Sequence, residues 1–152
     1  HSNGFEHMDI PVITNQDPEI IQMFTWGLIP AWVKSLESAN KLQNATLNAR
    51  DNTLFEKPSF KKAAVLRRCL VLVDGFYDHH WEGNKSFPFL VQLKNTESMA
   101  LGGIWETWHF NDLRRDTVSI ITTDPNRRME WLHNRPKASE GPRMPFILPE
   151  EH

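Results

Sequence analysis

Three groups of residues could perform chemistry: a single cysteine, a run of one aspartate and two histidines, and one histidine ahead of a basic segment. Cys69 opens an apolar, β-branched run, where a free cysteine is usually a small core residue and not a nucleophile. Asp78, His79 and His80 could bind a metal, but adjacent strand residues point to opposite faces of a sheet, so the two histidines cannot chelate from one surface. His133 could transfer protons near neutral pH or serve only in packing. None of these residues indicates a function by itself.

The elements that must position these residues are short and mostly extended. A continuous apolar run predicts a buried strand over residues 69–73, and alternating aromatic and polar residues predict a hairpin over 76–93. The run at 10–13 is interrupted by proline and is predicted to be loop. No alternation of strands with helices and no repeat is present, which predicts one α+β domain with a mainly antiparallel sheet. Further strands are predicted at 24–30, 99–108, 118–123 and 143–148, a short extended or bridging segment at 46–50, and a short helix or turn at 31–41. Helices are predicted at 53–57, with Thr53 as its N-cap, at 60–68, with Ser59 as its N-cap, and at 125–133.

The composition is that of an ordered domain. A chain of 152 residues is long enough to bury roughly two-thirds of its unfolded surface. A hydrophobic content of 39% with 11% aromatic residues is too rich for a disordered chain, and no apolar run reaches the roughly 20 residues of a membrane span. One cysteine excludes an internal disulfide and a cysteine-rich zinc site, which favours a reducing compartment. No signal-peptide pattern is present.

The charge is unevenly distributed. The formal net charge is −2, yet residues 1–20 contain acidic groups and no basic ones, while the positive groups gather in residues 57–68 and 127–143. Cations interleaved with tryptophan are typical of proteins that bind single-stranded nucleic acid, since phosphates meet the cations and bases stack on the rings. A solvated charged surface explains the same composition, so both interpretations stay open at this point.

A set of ordered motifs makes the chain similar to a known family. Over residues 24–149 it resembles the SOS response-associated peptidase (SRAP) domain. The motifs are, in chain order, Trp26-Gly27-Leu28-Ile29-Pro30-Ala31-Trp32, Asn48-Ala49-Arg50, Glu56-Lys57-Pro58-Ser59-Phe60, Arg67-Arg68-Cys69-Leu70, Asp74-Gly75-Phe76-Tyr77, Gly103-Ile104-Trp105-Glu106, Ile120-Ile121-Thr122-Thr123, Leu132-His133-Asn134 and Arg143-Met144-Pro145-Phe146-Ile147-Leu148.

The resemblance implies a fold and an activity. The SRAP fold is a compact single α+β domain with a barrel-like, mainly antiparallel sheet core and a few short helices. Family members bind single-stranded DNA and crosslink covalently to abasic sites, and an autoproteolytic activity exposes their reactive cysteine. The implied partners are single-stranded DNA and abasic-site DNA. The implied protein is a cytoplasmic, nucleoid-associated monomer with no cofactor, no metal and no membrane contact.

The resemblance also implies how the family reacts. Its nucleophile is an N-terminal cysteine, whose α-amine condenses with the aldehyde of a ring-opened abasic sugar before the thiol closes a thiazolidine ring. An α-amine pKa of about 8 leaves useful free base at neutral pH. Cys69 matches a different, strand-buried family position, and the chain begins at His1. We therefore expect the chain as given to bind single-stranded DNA without crosslinking to it.

Three residues match catalytic positions of the family. Asn48 matches the asparagine that holds the cysteine and the sugar, because an amide can donate and accept hydrogen bonds without changing charge. His133 matches the histidine beside the sugar oxygen, where it can transfer a proton. Asp78 stands where the family usually has Glu, and its reach is shorter by up to about 1.5 Å. Misplacement on that scale can cost about a hundredfold in rate, so Asp78 is expected to be weakened or to be rescued by a shifted backbone.

Three further residues match positions that face DNA. Trp32 is predicted to form an aromatic wall against the DNA. Arg50 and Arg143 are predicted to be DNA contacts, and a guanidinium suits bidentate phosphate binding. A polar insert at residues 136–142 separates His133 from Arg143, and we expect it to become ordered on DNA.

Two alternatives remain open in the sequence. A non-catalytic single-stranded DNA-binding module would result if Asp78 no longer acts as an acid or base, and comparison with Asp78→Glu tests it. A Cys69–His133 hydrolase would need a reactive Cys69 and would lose activity on Cys69→Ala.

Overall fold

The computed structural model describes residues 7–94, 98–135 and 141–149, so most of the insert predicted at 136–142 lies outside the described residues. The described ranges contain ten strands and three short helices. None of these helices has the length and apolar character that a membrane span requires. The elements are β1 (Asp9–Thr14), β2 (Gln22–Trp26), α1 (Leu36–Gln43), β3 (Asn48–Arg50), α2 (Lys61–Leu66), β4 (Arg68–Val73), β5 (Phe76–Glu82), β6 (Lys85–Val91), β7 (Met99–Phe110), β8 (Leu113–Thr123), α3 (Arg127–Leu132), β9 (Met144–Pro145) and β10 (Ile147–Leu148).

Five of the strands close into a barrel. The strands β7, β4, β1, β2 and β8 pair in that order, and β8 pairs again with β7, so the sheet returns to its first strand. Only the β2–β8 pairing within this ring is parallel. Closure leaves these strands without an open edge. The α+β class and the barrel-like, mainly antiparallel core with short helices are therefore confirmed.

Alternating apolar side chains fill the barrel. Because successive side chains of a strand point to opposite faces, each strand contributes every second residue to the interior. The pattern is clearest on β1, where exposed or half-buried positions alternate with buried ones. The central residues, one from each strand of the ring, are Val12, Phe24, Val71, Leu101 and Val118, and each is at most 2% exposed.

Gly103 on β7 pairs with Cys69 on β4. A Cβ atom at this position would lie 2.9 Å from the Sγ of Cys69 and 3.1 Å from the carbonyl oxygen of Ser119. Gly103→Ala is therefore expected to lower the free energy of unfolding by about 1–3 kcal/mol through overpacking, measured by urea titration. Gly83→Asn is the control, since a Cβ there meets nothing within 4 Å and asparagine tolerates its φ of 62°. Equal stability of Gly103→Ala and the wild type would mean that the barrel relaxes around the added methyl group.

The sequence prediction is wrong at residues 10–13. They form the middle of β1, a central strand of the barrel, and not a loop. The residues of β1 that pair with β4 begin at Val12, directly after Pro11. The pairing with β4 thus starts past the residue that lacks an N–H, which is how a proline is accommodated in a sheet.

The prediction is also wrong around residues 53–60. The N–H groups of Glu56 and Lys57 both donate to the carbonyl of Thr53, which makes a turn and not the predicted helix. The helix that follows, α2, begins after Phe60 without a side-chain cap, so Ser59 is not its N-cap.

Two features outside the barrel position the predicted site. The hairpin formed by β5 and β6 is a separate two-stranded sheet that packs against α3. The C-terminal half of β8, which leads into α3, pairs with β3 through Asn48 and Ile120 and with β9 through Pro145 and Thr122. The hairpin, α3, β3 and β9 therefore meet near the end of β8.

Candidate active site

The structure brings Asp78 and His133 into direct contact. Asp78 lies on β5 and His133 directly follows α3, and the Nδ1 atom of His133 lies 3.2 Å from the Oδ2 atom of Asp78. The other carboxylate oxygen of Asp78 accepts a hydrogen bond from the backbone N–H of His79 at 2.8 Å. The side chains of Asp78 and His133 are 19% and 35% exposed, so the pair is shielded and still accessible. The short side chain of Asp78 thus reaches His133, and the two residues together can bind a proton and transfer it.

The surroundings raise the pKa of His133 above its usual value. The largest cause is the hydrogen bond with Asp78, whose negative charge acts in the same direction, as does a hydrogen bond with the backbone of Arg143. Burial and the positive charge of Arg135 oppose the increase. The imidazolium form is therefore favoured, and a proton is held at a point that a bound molecule can approach.

The raised pKa of His133 predicts a pH-dependent stability. Because the folded pKa lies above the unfolded value, the stabilisation from this pair is fully present below the unfolded pKa of about 6.5 and is lost as pH rises through the folded pKa. The difference in melting temperature between wild type and His133→Gln is expected to be larger at about pH 5–6 than at about pH 9. His109→Gln, at an exposed position of β7, is the control. A constant difference across this range would contradict the assignment.

Asn134 attaches the segment after α3 to the hairpin. Its side-chain oxygen accepts a hydrogen bond from the N–H of Trp81 at 2.7 Å, and its side-chain nitrogen donates to the carbonyl of Trp81 at 3.0 Å. The amide therefore binds the edge of β5 as a neighbouring strand would. This contact fixes the residue next to His133, and no pattern in the sequence predicts it.

Asn134→Asp is expected to loosen this attachment. A carboxylate keeps the acceptor for Trp81 but loses the donor and places a negative charge against a carbonyl oxygen, so the free energy of unfolding should fall by about 1 kcal/mol. Asn134→Ala removes both hydrogen bonds and should cost at least as much. Urea titration measures both, and wild-type stability of both variants would show that the hairpin holds His133 without this residue.

Asn48 and Arg50 share one face of β3. Asn48 is exposed, Ala49 is completely buried and Arg50 is half-buried, which is the alternation of a strand with one face against the core. Their strand pairs in parallel with residues 120–122 of β8. Both side chains therefore point away from the core at the edge where β8 approaches α3.

Arg143 lies inward and not on the surface. The residue is 8% exposed, and its Nη2 atom donates to the Oδ1 atom of Asp51 and to the carbonyl of Thr122, both at 2.8 Å. Its Nη1 atom donates to the Oδ1 atom of Asp124 at 2.9 Å. A direct phosphate contact would require the guanidinium to leave these partners. The geometry therefore favours a positioning role over the DNA contact that the resemblance implies.

The same residue connects the two halves of the site. Asp51 directly follows Arg50 on the β3 side, and the backbone of Arg143 forms a hydrogen bond with His133 on the α3 side. Arg143 thus ties the strand that carries Asn48 to the loop that carries His133.

Trp32 lines a separate groove of about 580 Å³. Its ring is held by a long hydrogen bond of 3.5 Å from Nε1 to the carbonyl of Pro58, and the residue remains 57% exposed. Among the described residues that line this groove are Lys34 and Lys41 and no carboxylate. An exposed ring between cations suits a nucleic acid strand.

In the described part of the chain, Cys69 does not form a nucleophilic site, and the neighbouring pair His79 and His80 does not form a metal site. Burial raises the pKa of the Cys69 thiol to about 12, so it is not a nucleophile near neutral pH, which excludes the Cys69–His133 hydrolase. The Nδ1 atom of His80 is taken by the carbonyl of Trp131 at 2.8 Å. In the described part of the chain, no group of three or more His, Cys, Asp or Glu side chains is arranged to hold a metal ion.

Comparison with known proteins identifies similar sequences. A family model described as SOS response associated peptidase (SRAP) matches residues 2–152. The chain is 38% identical over 131 residues to the abasic site processing protein YoqW of Bacillus subtilis, a match that covers 84% of this chain and 52% of that protein. It is 36% identical over 163 residues to the abasic site processing protein HMCES of Pongo abelii, covering 87% of this chain and 43% of that protein. The chain thus spans about half the length of these relatives.

Solved structures share the fold. A crystal structure of a protein from Bacteroides thetaiotaomicron superimposes with a TM-score of 0.90 at 38% identity, covering 99% of this chain and 63% of that chain. A second, from Bordetella bronchiseptica, has a TM-score of 0.81 at 21% identity and covers 95% of this chain and 70% of that chain.

Proposed function

The chain belongs to the SRAP family, and from this premise we propose that it binds single-stranded DNA and processes abasic sites in the response to DNA damage. The single observation that carries this proposal is the Asp78–His133 pair, an accessible proton donor held by a carboxylate. The relatives include proteins from bacteria, yeast and vertebrates that are named abasic site processing proteins, and these names support abasic-site DNA as the substrate.

The pair suits the chemistry of an abasic sugar. The sugar must open from its cyclic hemiacetal to an aldehyde: the bond between C1 and the ring oxygen breaks, the C1 hydroxyl loses its proton to water, and the ring oxygen takes up a proton. The His133 imidazolium supplies that proton, and Asp78 keeps the ring oriented and favours its charged form. Asn48, on the exposed face of β3, holds the sugar through its amide. In the protein that carries this domain, an N-terminal cysteine exposed by autoproteolysis then captures the aldehyde.

Aromatic and basic groups of the protein contact the DNA strand on either side of the sugar. Trp32 forms a wall on which a base rests, and Lys34 and Lys41 lie in the same groove for the phosphates. Arg50 contacts a phosphate from the outer face of β3. Arg143 supports DNA binding indirectly, because it holds Asp51 and the loop of His133 in place.

A binding measurement tests the proposal. Residues 1–152 are titrated into fluorescent oligonucleotides of one sequence that are single-stranded with a central tetrahydrofuran abasic analogue, single-stranded and intact, or duplex. We expect the abasic single strand to bind most tightly and the duplex most weakly. Asp78→Asn should reduce the preference for the abasic strand, while Asp116→Asn, on β8, is the matched carboxylate control. Equal affinity of the wild type for all three oligonucleotides would contradict the proposal.

A non-catalytic DNA-binding module is the second candidate, and the aspartate at position 78 is the observation that favours it. In the protein that carries this domain, the two candidates differ in the covalent product formed with an abasic oligonucleotide, seen as a shifted band on a denaturing gel. A module without catalysis gives no such band with either Asp78 or Asp78→Glu, although both proteins bind the single strand.

A further inference from the structure

A second groove lies between β6 and α3, next to the candidate active site. It has a volume of about 590 Å³. Its walls include Phe89 on the hairpin and Arg127, Arg128 and Trp131 on the helix. We call the groove that these four residues line the aromatic groove. The proposed function above gives none of them a role.

The ring of Trp131 is held in place and still accessible. It stacks on His80 with ring centroids 3.9 Å apart and an interplanar angle of 17°, and it forms a T-shaped pair with Phe89 with ring centroids 5.7 Å apart. The Nδ1–H of His80 also donates to the carbonyl of Trp131 at 2.8 Å. Despite these contacts Trp131 is 56% exposed. An indole fixed in this way loses little conformational entropy when a second ring stacks against it.

The groove is positively charged. Arg127 and Arg128 both line it, and no carboxylate is found among its described lining residues, since Glu130 of the same helix lies outside it. Guanidinium groups beside an exposed aromatic ring match a nucleotide, which offers a phosphate and a base together.

The groove also lies beside the elements that carry the Asp78–His133 pair. Phe89 is the cross-strand partner of Asp78 in the hairpin, and Trp131 precedes His133 by two residues in the chain. A DNA strand whose sugar lies at His133 therefore has its neighbouring nucleotides beside this groove. An acidic protein segment would meet the same arginines, but the closeness of the groove to the Asp78–His133 pair in the hairpin register and along α3 favours the DNA strand as the occupant.

We propose that the aromatic groove binds a nucleotide adjacent to the abasic site, with its base on Trp131 and phosphates at Arg127 and Arg128. The inference rests on the proposed function, because it needs the sugar at His133. It makes the hairpin and α3 a second contact for the strand, in addition to Trp32.

Anisotropy titrations of residues 1–152 with the abasic single strand test the stacking. Trp131→Leu is expected to weaken binding by roughly 5- to 150-fold, the range for loss of one base stacked on an aromatic ring, whereas Trp131→Phe should retain most of the affinity. The base on each side of the abasic site is replaced, one at a time, with a further abasic analogue, and one of the two replacements should weaken wild-type binding and leave Trp131→Leu almost unaffected. Such non-additivity is the mark of a direct contact, which loss of folding or of general packing would not produce.

The salt dependence tests the arginines. The double variant Arg127→Gln with Arg128→Gln should reduce the slope of log K against log salt by about 1.4, because each phosphate contact to a single strand contributes about 0.7. Arg114→Gln, an exposed arginine at the start of β8, is the control and should leave the slope unchanged.

The outcomes separate this inference from the proposed function. Failure of the wild type to prefer the abasic single strand overturns both. A preference for the abasic strand with wild-type affinity in Trp131→Leu, or additive effects of Trp131→Leu and base removal, overturns the aromatic groove alone. An unchanged salt slope in the double arginine variant likewise overturns it.

Discussion

His133→Gln is expected, under the proposed function, to slow covalent reaction with an abasic site by about 100- to 10,000-fold in the protein that carries this domain, the usual contribution of a positioned acid–base group. Glutamine is polar and close to histidine in size, but its amide has no proton to transfer near neutral pH. The measurement is the initial rate of crosslinked product on a denaturing gel, with abasic single-stranded DNA in excess.

Two controls accompany this prediction. His109→Gln, which changes an exposed histidine on β7, should react at the wild-type rate. The affinity of His133→Gln for intact single-stranded DNA should remain that of the wild type, since the loss concerns the chemical step and not the phosphate contacts. A His133→Gln protein that reacts within about tenfold of the wild type would remove His133 from the proposed mechanism.

Trp108→Ala is expected to lower the free energy of unfolding by about 3–5 kcal/mol. Trp108 is completely buried, its ring stacks on Phe110 at 5.7 Å, and its Nε1 atom donates to the carbonyl of Val33 at 2.8 Å. The variant therefore creates a cavity and leaves a buried carbonyl unsatisfied. Because Val33 is the neighbour of Trp32, the loss should also weaken binding of single-stranded DNA.

Two further variants separate the cavity from the hydrogen bond. Trp108→Phe keeps most of the ring and removes the donor to Val33, so it should cost about 1–3 kcal/mol. Trp131→Ala, which truncates an exposed tryptophan, should cost less than Trp108→Ala. Urea unfolding measures all three, and a Trp108→Ala protein with near-wild-type stability would show that this part of the core collapses around the cavity.

Much of the secondary structure could be predicted because it depends on local patterns. The apolar run at β4 and the alternating hairpin of β5 and β6 are visible in the sequence and appear in the structure. The role of β1 was not predictable in the same way. Pro11 argues locally against a strand, but β1 forms through its pairing with β2, which includes Pro11, and through its long-range pairing with β4, which begins after Pro11.

The residues of the candidate site could be proposed from the sequence, but their geometry could not. The resemblance names Asp78 and His133, which are distant in the chain, and the structure places them in contact. It does not predict that Arg143 turns inward, because this depends on where Asp51 and the carbonyl of Thr122 lie in the folded chain. The two hydrogen bonds between the side chain of Asn134 and the backbone of Trp81 likewise depend on the tertiary structure, and no local pattern in the sequence predicts them.

The most direct test of the central claim is an NMR titration of the ring protons of His133 in residues 1–152. A single-stranded oligonucleotide with a central tetrahydrofuran abasic analogue is added, and the intact oligonucleotide serves as its control. If His133 lies at the sugar, its ring resonances shift with the abasic strand more than with the intact strand, while those of His109 remain unchanged. If the abasic strand binds and the His133 resonances do not move, the Asp78–His133 pair is not the site of the sugar.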